Sequence, residues 1–266
     1  VGPPVPIDDA GDARLDDYRG LRRPDQRSRA EGFFIAEGAT VLERLLDAPH
    51  RIRSVVLTPA RVARFAARLA SVPAPLYVVT PEVLTEVVGY DLHRGVIASA
   101  TRPAPAPLAD VIARARTIVV LEGLNDFENL GAIARSARAL GADALVLDPL
   151  TADPLARRAV RVSMGEVLFL PTVRLDNWPA GLRALRDAGF RLVAMTPAAA
   201  AIDLFGIRRE AGERIAVMLG AEGPGLTPAA LELADVRARI PLRAGVDSLN
   251  VGHAAAIALA HLGHPS

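Results

Sequence analysis

The sequence predicts an α/β protein built on a largely parallel sheet, preceded by a smaller α/β unit. Three observations predict it. Short apolar runs alternate with amphipathic helical patterns along most of the chain. The runs of the second half lack the polar alternation of half-exposed strands, as strands covered on both faces do. Between the halves lies Arg102-Pro103-Ala104-Pro105-Ala106-Pro107, where alternating Pro removes donors and holds the chain extended.

In order, Val41–Leu46 reads as helix, Ile52–Leu57 as strand, and Pro59–Leu69 as helix with Arg61, Arg64 and Arg68 on one stripe. Strand Leu76–Val79, helix Pro81–Val88 and strand Val96–Ala98 complete the first unit. We place a first domain at residues 1–101, with a basic extension at 1–28, a linker at 102–108 and a second domain at 109–266. In the second domain we expect strands at Thr117–Leu121, Ala144–Leu147, Val167–Leu170, Arg191–Met195, Ile215–Leu219 and Ala238–Leu242. Ligands of such sheets bind beyond the C-terminal strand ends. Each chemically interesting residue of this half follows a strand.

Composition narrows the function classes. The 266 residues are 51% apolar, ample for a buried core, and Cys is absent, which excludes disulfides and thiolate metal sites. No apolar run reaches the length of about 18 residues that a membrane helix needs. The start, Val1-Gly2-Pro3-Pro4, lacks a charged-then-apolar signal pattern, so a cytoplasmic protein without a membrane partner is expected. The net charge of +1 does not advertise a nucleic-acid binder, yet all 31 basic residues are Arg. Codon usage in a GC-rich genome accounts for that bias, although guanidinium groups also suit phosphates and bases. The basic cluster Arg19, Arg22, Arg23, Arg27 and Arg29 is opposed by Asp16, Asp17 and Asp25 and reads as a solvated face. His253 and His261 lack Cys or carboxylate partners in the sequence, so no metal is expected.

Three loops carry the chemistry. The first, Asn125 to Ala137, follows a strand; Asn129 caps or enters a helix on which Arg135 lies beside the stripe of 129, 132 and 136. The second, Gly220-Ala221-Glu222-Gly223-Pro224-Gly225, brings backbone amides toward a ligand, and Thr227-Pro228 reads as N-cap and first residue of the next helix. It lacks both the G-x-G-x-x-G spacing of a dinucleotide fingerprint and the Lys of a P-loop. An adenosine without polyphosphate fits it better. The third, Ile240 to Asn250, precedes an apolar helix pattern at Ala254–Ala260, and Asp247 or Ser248 reads as its cap. Asn250, one of four Asn in the chain, sits there among apolar neighbours. Asn129, Arg135, Glu222, Ser248 and Asn250 meet at one sheet edge if the strands are neighbours.

Asn129-x-Gly131-x-x-x-Arg135, Gly220-x-Glu222-x-x-Gly225, and Ile240-Pro241 followed by Ser248-Leu249-Asn250-Val251 resemble, in order and spacing, the three motifs of the SpoU/TrmH RNA 2′-O-ribose methyltransferases. Asp148-Pro149, Ala152-Asp153-Pro154 and Arg161 to Gly165 are similar to the family's middle section. The resemblance implies a SPOUT α/β fold with a C-terminal trefoil knot, a ribosomal-protein-like substrate-binding domain before it, and a homodimer. It further implies S-adenosylmethionine as methyl donor, bound by Thr196, Leu219, Gly220, Gly225, Ile240 and Leu249. Asn129, Arg135, Glu222, Ser248 and Asn250 are the implied catalytic set, acting on ribosomal RNA by preference or on tRNA. Two positions depart from the family pattern: Phe127, where Pro is common, and Gly252, where Ser is common. A non-catalytic RNA binder on the same fold and a dinucleotide oxidoreductase are the alternatives.

Overall fold

The structure, a computed structural model, describes residues 3–21, 26–92 and 94–263. The chain divides into two compact units, one of residues 1–104 with 155–168, the other of 105–154 with 169–266. No helix among the described residues is long and apolar enough to cross a membrane.

The first unit holds strands β1 (Val5–Pro6), β2 (Phe33–Glu37), β3 (Ile52–Leu57), β4 (Leu76–Val78) and β5 (Val96–Thr101) in the order β1-β4-β3-β5-β2. The sheet is mixed: β2 and β3 run antiparallel to β5, while β1 and β3 run parallel to β4. Helices α1 (Gln26–Ala30), α2 (Ala39–Asp47), α3 (Pro59–Leu69) and α4 (Pro81–Val88) flank it. Both α3 and α4 begin Thr-Pro, and the Thr80 hydroxyl accepts from the Val83 amide, a cap legible in the sequence. The Arg stripe on α3 has partners in α2: Arg64 pairs with Glu43 at 2.8 Å and Arg68 with Asp47 at 2.5 Å.

The stretch read as a basic extension is partly folded into this unit. Strand β1 joins the sheet edge, and Tyr18, fully buried, donates its hydroxyl to the Ser54 carbonyl at 2.9 Å. Arg19 pairs with Asp16 and Arg27 with Glu31, whereas Arg22, Arg23 and Asp25 lie outside the described residues.

In the second unit the elements run α5 (Leu108–Arg114), β6 (Thr117–Glu122), α6 (Phe127–Ala139) and β7 (Ala144–Leu147). Helix α7 (Arg157–Val162) follows in sequence but packs with the first unit, against β2. There Arg157 and Arg161 pair with Glu37, Arg44 pairs with Glu166 at 2.8 Å, and the His50 ring bonds the Leu168 carbonyl at 2.9 Å. The linear sequence, which groups residues 155–168 with their neighbours, gives no sign of these distant partners.

The second unit resumes with β8 (Thr172–Arg174), α8 (Arg183–Asp187), β9 (Phe190–Met195), β10 (Ile202–Asp203), β11 (Arg214–Gly220), α9 (Pro228–Leu233), β12 (Val236–Arg239) and α10 (Val251–Leu262). Its seven strands order as β10-β12-β9-β11-β6-β7-β8, and every pair is parallel. Strand β6 is buried at every position, which is why it reads as an unbroken apolar run.

Two strand expectations are corrected. Val167–Leu170 is not a strand: Glu166–Phe169 forms a 3-10 turn, and the strand is Thr172–Arg174. Left-handed Met164 and Gly165 reverse the chain there, and the Leu168 amide closes onto the Gly165 carbonyl, so the apolar run packs as a turn. The run to Leu242 stops pairing at Arg239, just before Pro241, which has no N–H to donate to a ladder.

Candidate active site

The carboxyl ends of β9, β11 and β12 and the start of α10 enclose a cavity of about 360 Å³. Its walls are Met195, Thr196 and Pro197 at the end of β9, Leu219 to Gly223 and Gly225 at the end of β11 and in its loop, Ile240 and Leu242 after β12, and Ser248–Val251 with Ala254. All six residues assigned to a nucleoside ligand line it: Thr196, Leu219, Gly220, Gly225, Ile240 and Leu249.

The loop after β11 is tightly closed. The Gly225 amide donates to the Ala221 carbonyl at 2.9 Å, and the two residues form an isolated bridge. A Cβ on Gly220 would lie 2.1 Å from the Gly225 carbonyl carbon, so only Gly lets this loop fold back on itself.

Asn250 joins the three loops. It is the N-cap of α10, its Oδ1 accepting from the amides of Gly252 at 2.9 Å and His253 at 3.4 Å. This corrects the expectation of Asp247 or Ser248 as cap, because the helix begins later than the first polar residues of the turn. The same side chain donates through Nδ2 to Asn129 Oδ1 at 2.8 Å and to Glu222 Oε1 at 2.9 Å. An amide serves here because it accepts from a helix end and donates to two oxygens at once.

Asn129 is buried within the first turn of α6 and is not its cap. Asp126 holds that position, accepting from the amides of Glu128 at 2.6 Å and Asn129 at 2.9 Å. The Asn129 side chain is thereby left to meet Asn250. Helices α6 and α10 approach closely: a Cβ on Gly252 would meet Ala132 Cβ at 3.4 Å and Asn250 Oδ1 at 3.1 Å. The departure at Gly252 thus has a steric setting.

Ser248 and Glu222 are exposed and line the cavity. Arg135 is exposed on α6, about 9 Å along the axis from Asn129. Its guanidinium forms no hydrogen bond or ion pair with any described residue, so the structure brings together four of the five expected catalytic residues and leaves Arg135 apart. Among the described residues, no group of three or more His, Asp or Glu could hold a metal ion.

Sequence reasoning missed Glu122, whose buried carboxylate accepts from Trp178 Nε1 at 2.5 Å and from the Thr227 amide and hydroxyl, each at 2.8 Å. It reads as the last residue of an apolar strand, and its partners lie far along the chain. An acidic residue ending an otherwise apolar strand is the one available signal.

The cavity has apolar walls and backbone edges, and among the described residues no Arg lines it. Phosphate is therefore poorly served, while an uncharged nucleoside is well served. The single carboxylate at its rim, Glu222, suits a cationic substituent. An all-parallel sheet with this pocket at its carboxyl edge defines a protein for a phosphate-free nucleoside ligand.

Comparison with known proteins makes this specific. The SpoU rRNA Methylase family profile matches residues 116–260. An uncharacterized tRNA/rRNA methyltransferase of Mycobacterium bovis is 48% identical over 255 residues, covering 94% of this chain and 88% of its own. The 23S rRNA (guanosine-2′-O-)-methyltransferase RlmB of a Burkholderia species is 33% identical over 82% of this chain and 91% of its own. The AdoMet-bound rRNA methyltransferase from Sinorhizobium meliloti superposes with a TM-score of 0.82 at 28% identity, covering 96% of this chain and 95% of its own. The SpoU methyltransferase AviRb from Streptomyces viridochromogenes, in complex with AdoMet, gives a TM-score of 0.79 at 25% identity, covering 93% and 96%. The chain belongs to the SpoU rRNA methylase family and is an S-adenosylmethionine-dependent RNA methyltransferase.

Proposed function

We propose that the Asn129–Asn250–Glu222 cluster, set at the rim of the nucleoside pocket, orients a ribose 2′-OH of RNA for methylation. That cluster is the observation that carries the reading. S-adenosylmethionine, when bound, supplies an already activated methyl group, so the protein's task is alignment and the handling of one proton. Leu219, Gly220, Gly225, Ile240, Leu249 and Thr196 hold the adenosine. Glu222 is held by Asn250 and not by Arg135, which favours it as acceptor of the 2′-OH proton. A guanidinium is too weak an acid at neutral pH to act as base. Arg135, exposed, is assigned to the phosphate beside the target ribose and to the charge that develops on its oxygen. Ser248 orients the same groups from the cavity wall.

The target is ribosomal RNA in this reading, with tRNA as the second. The match to RlmB spans 82% of the chain and so extends into the first unit. That unit serves as the ribosomal-protein-like module that docks RNA. In the second unit, exposed Ile202, Phe205 and Val246 offer apolar surface to a second copy, supporting a homodimer. A C-terminal trefoil knot, implied by the family resemblance, belongs to the same proposal. A cytoplasmic enzyme needing no metal completes the proposal.

Calorimetry with S-adenosylmethionine and with NAD tests the pocket: binding of the first alone is expected, and binding of NAD instead would overturn the reading. Mapping 2′-O-methyl sites in cellular RNA with and without the protein identifies the target. A site in tRNA would replace the ribosomal assignment.

A further inference from the structure

We infer that Glu122 is a positioning residue that clasps both ends of the donor-binding loop, and that Trp178 reports its state. The inference rests on the assignment of the pocket to S-adenosylmethionine. Glu122 is the last residue of β6, and its Cα partner in the neighbouring strand is Gly220, where the loop leaves β11. Its carboxylate reaches the far end of the same loop, accepting from the Thr227 amide and hydroxyl at 2.8 Å each. One residue thus fixes where the loop departs and where it lands. Between those points lie Glu222 and the backbone that lines the cavity.

The anchor is costly to disturb. The carboxylate is 5% exposed and satisfied by three donors, so losing its charge leaves buried donors badly matched. Thr227 also caps α9 through its hydroxyl, which accepts from the Ala230 amide at 3.3 Å. The third donor is the indole of Trp178, the single Trp of the chain. A ligand that settles the loop therefore acts on a hydrogen bond to the only indole chromophore present.

The test uses the full chain and three readouts: calorimetry with S-adenosylmethionine, filter binding with a ribosomal RNA fragment, and Trp emission during donor titration. Glu122→Gln is expected to weaken donor binding about 10-fold or more, from the loss of one to two charge-assisted bonds. RNA affinity should stay within about 2-fold, because the anchor faces the donor loop. Trp emission should respond to donor in the wild type and lose that response in the variant. Thr227→Val, which keeps the amide but removes the hydroxyl, should shift donor affinity the same way by less, and Thr227→Ser should restore it. If Glu122→Gln fails to fold, Thr227→Val with Thr227→Ser decides. Wild-type donor affinity in the folded variants would overturn the inference, as would equal loss of donor and RNA binding. A wild type that binds no donor would overturn the assignment of the pocket itself.

Discussion

Asn250 Nδ2 donates to Asn129 Oδ1 at 2.8 Å, joining side chains 121 positions apart and tying the start of α10 to the first turn of α6. Because the same Asn250 caps α10 and holds Glu222, a helix terminus and the polar cluster at the cavity rim share one side chain.

The two roles separate by substitution. Asn250→Asp keeps an oxygen for the Gly252 amide but loses both donated bonds and sets a second carboxylate beside Glu222. Stability should fall by about 1 to 3 kcal/mol, since Asp is an equal cap but buried Asn129 loses its donor and two carboxylates face each other. Single-turnover methyl transfer should fall about 100-fold. Thermal unfolding alongside the transfer assay checks it; a large stability loss with retained activity would reverse the assignment.

Arg135→Ala removes an exposed side chain without a partner among the described residues, so Tm should hardly move. The transfer rate should drop about 100-fold while donor affinity, read by calorimetry, stays at the wild-type value. Normal single-turnover rates would sink the role given to Arg135.

Arg209 secures the far end of α10. Its buried guanidinium donates to the carbonyls of Leu262 at 2.9 Å and Gly263 at 2.7 Å, and to Thr117 Oγ1 at 2.9 Å. A cation at a helix C-terminus also complements the helix dipole. Arg209→Met should cost about 3 kcal/mol or more, because it strands several buried carbonyls. Denaturant unfolding measures this, and a loss under about 1 kcal/mol would show the contacts to be dispensable.

Two groups of the first unit set a pH dependence of stability. Burial pushes the Glu37 carboxyl up, but the Tyr90 hydroxyl and the charges of Arg157 and Arg161 outweigh it and hold the carboxyl below its ordinary value. Its contribution is present above the ordinary carboxylate range and is lost as pH falls through the lowered value. Burial lowers the His50 pKa as well, against a smaller opposing effect from the Leu168 carbonyl. The unfolded chain then takes up a proton near pH about 6.5 that folded His50 resists, so stability declines as pH drops below that point. Tm should therefore fall from pH 7 to 5.5, and His50→Phe should flatten that slope. An unchanged slope would contradict the assignment.

Local signals made much of the second unit legible. Apolar runs marked β6, β7, β9 and β11 because those strands are buried. Thr227-Pro228 marked the start of α9, where the Thr227 hydroxyl accepts from the Ala230 amide. The donor-site residues expected in the ordered motifs, with Leu219 and Thr196 at neighbouring strand ends, all line one cavity. Features set by distant partners were not legible. The two-residue strands β1 and β10 exist only through pairing with β4 and β12. Asn129 enters α6 and Asp126, three residues earlier, caps it, a choice between nearby polar residues that composition does not decide. Glu122 and the grouping of residues 155–168 with the first unit depend on contacts that no window of sequence contains.

The role of the ribose hydroxyl is tested most directly by transfer of a labelled methyl group from S-adenosylmethionine to ribosomal RNA, run beside the same RNA with 2′-deoxy substitution at the mapped nucleotide. Label is expected on the ribose of the natural RNA, none at the deoxy position, and near-complete loss with Asn250→Asp. Label on a base, or transfer that survives removal of the 2′-OH, would contradict it.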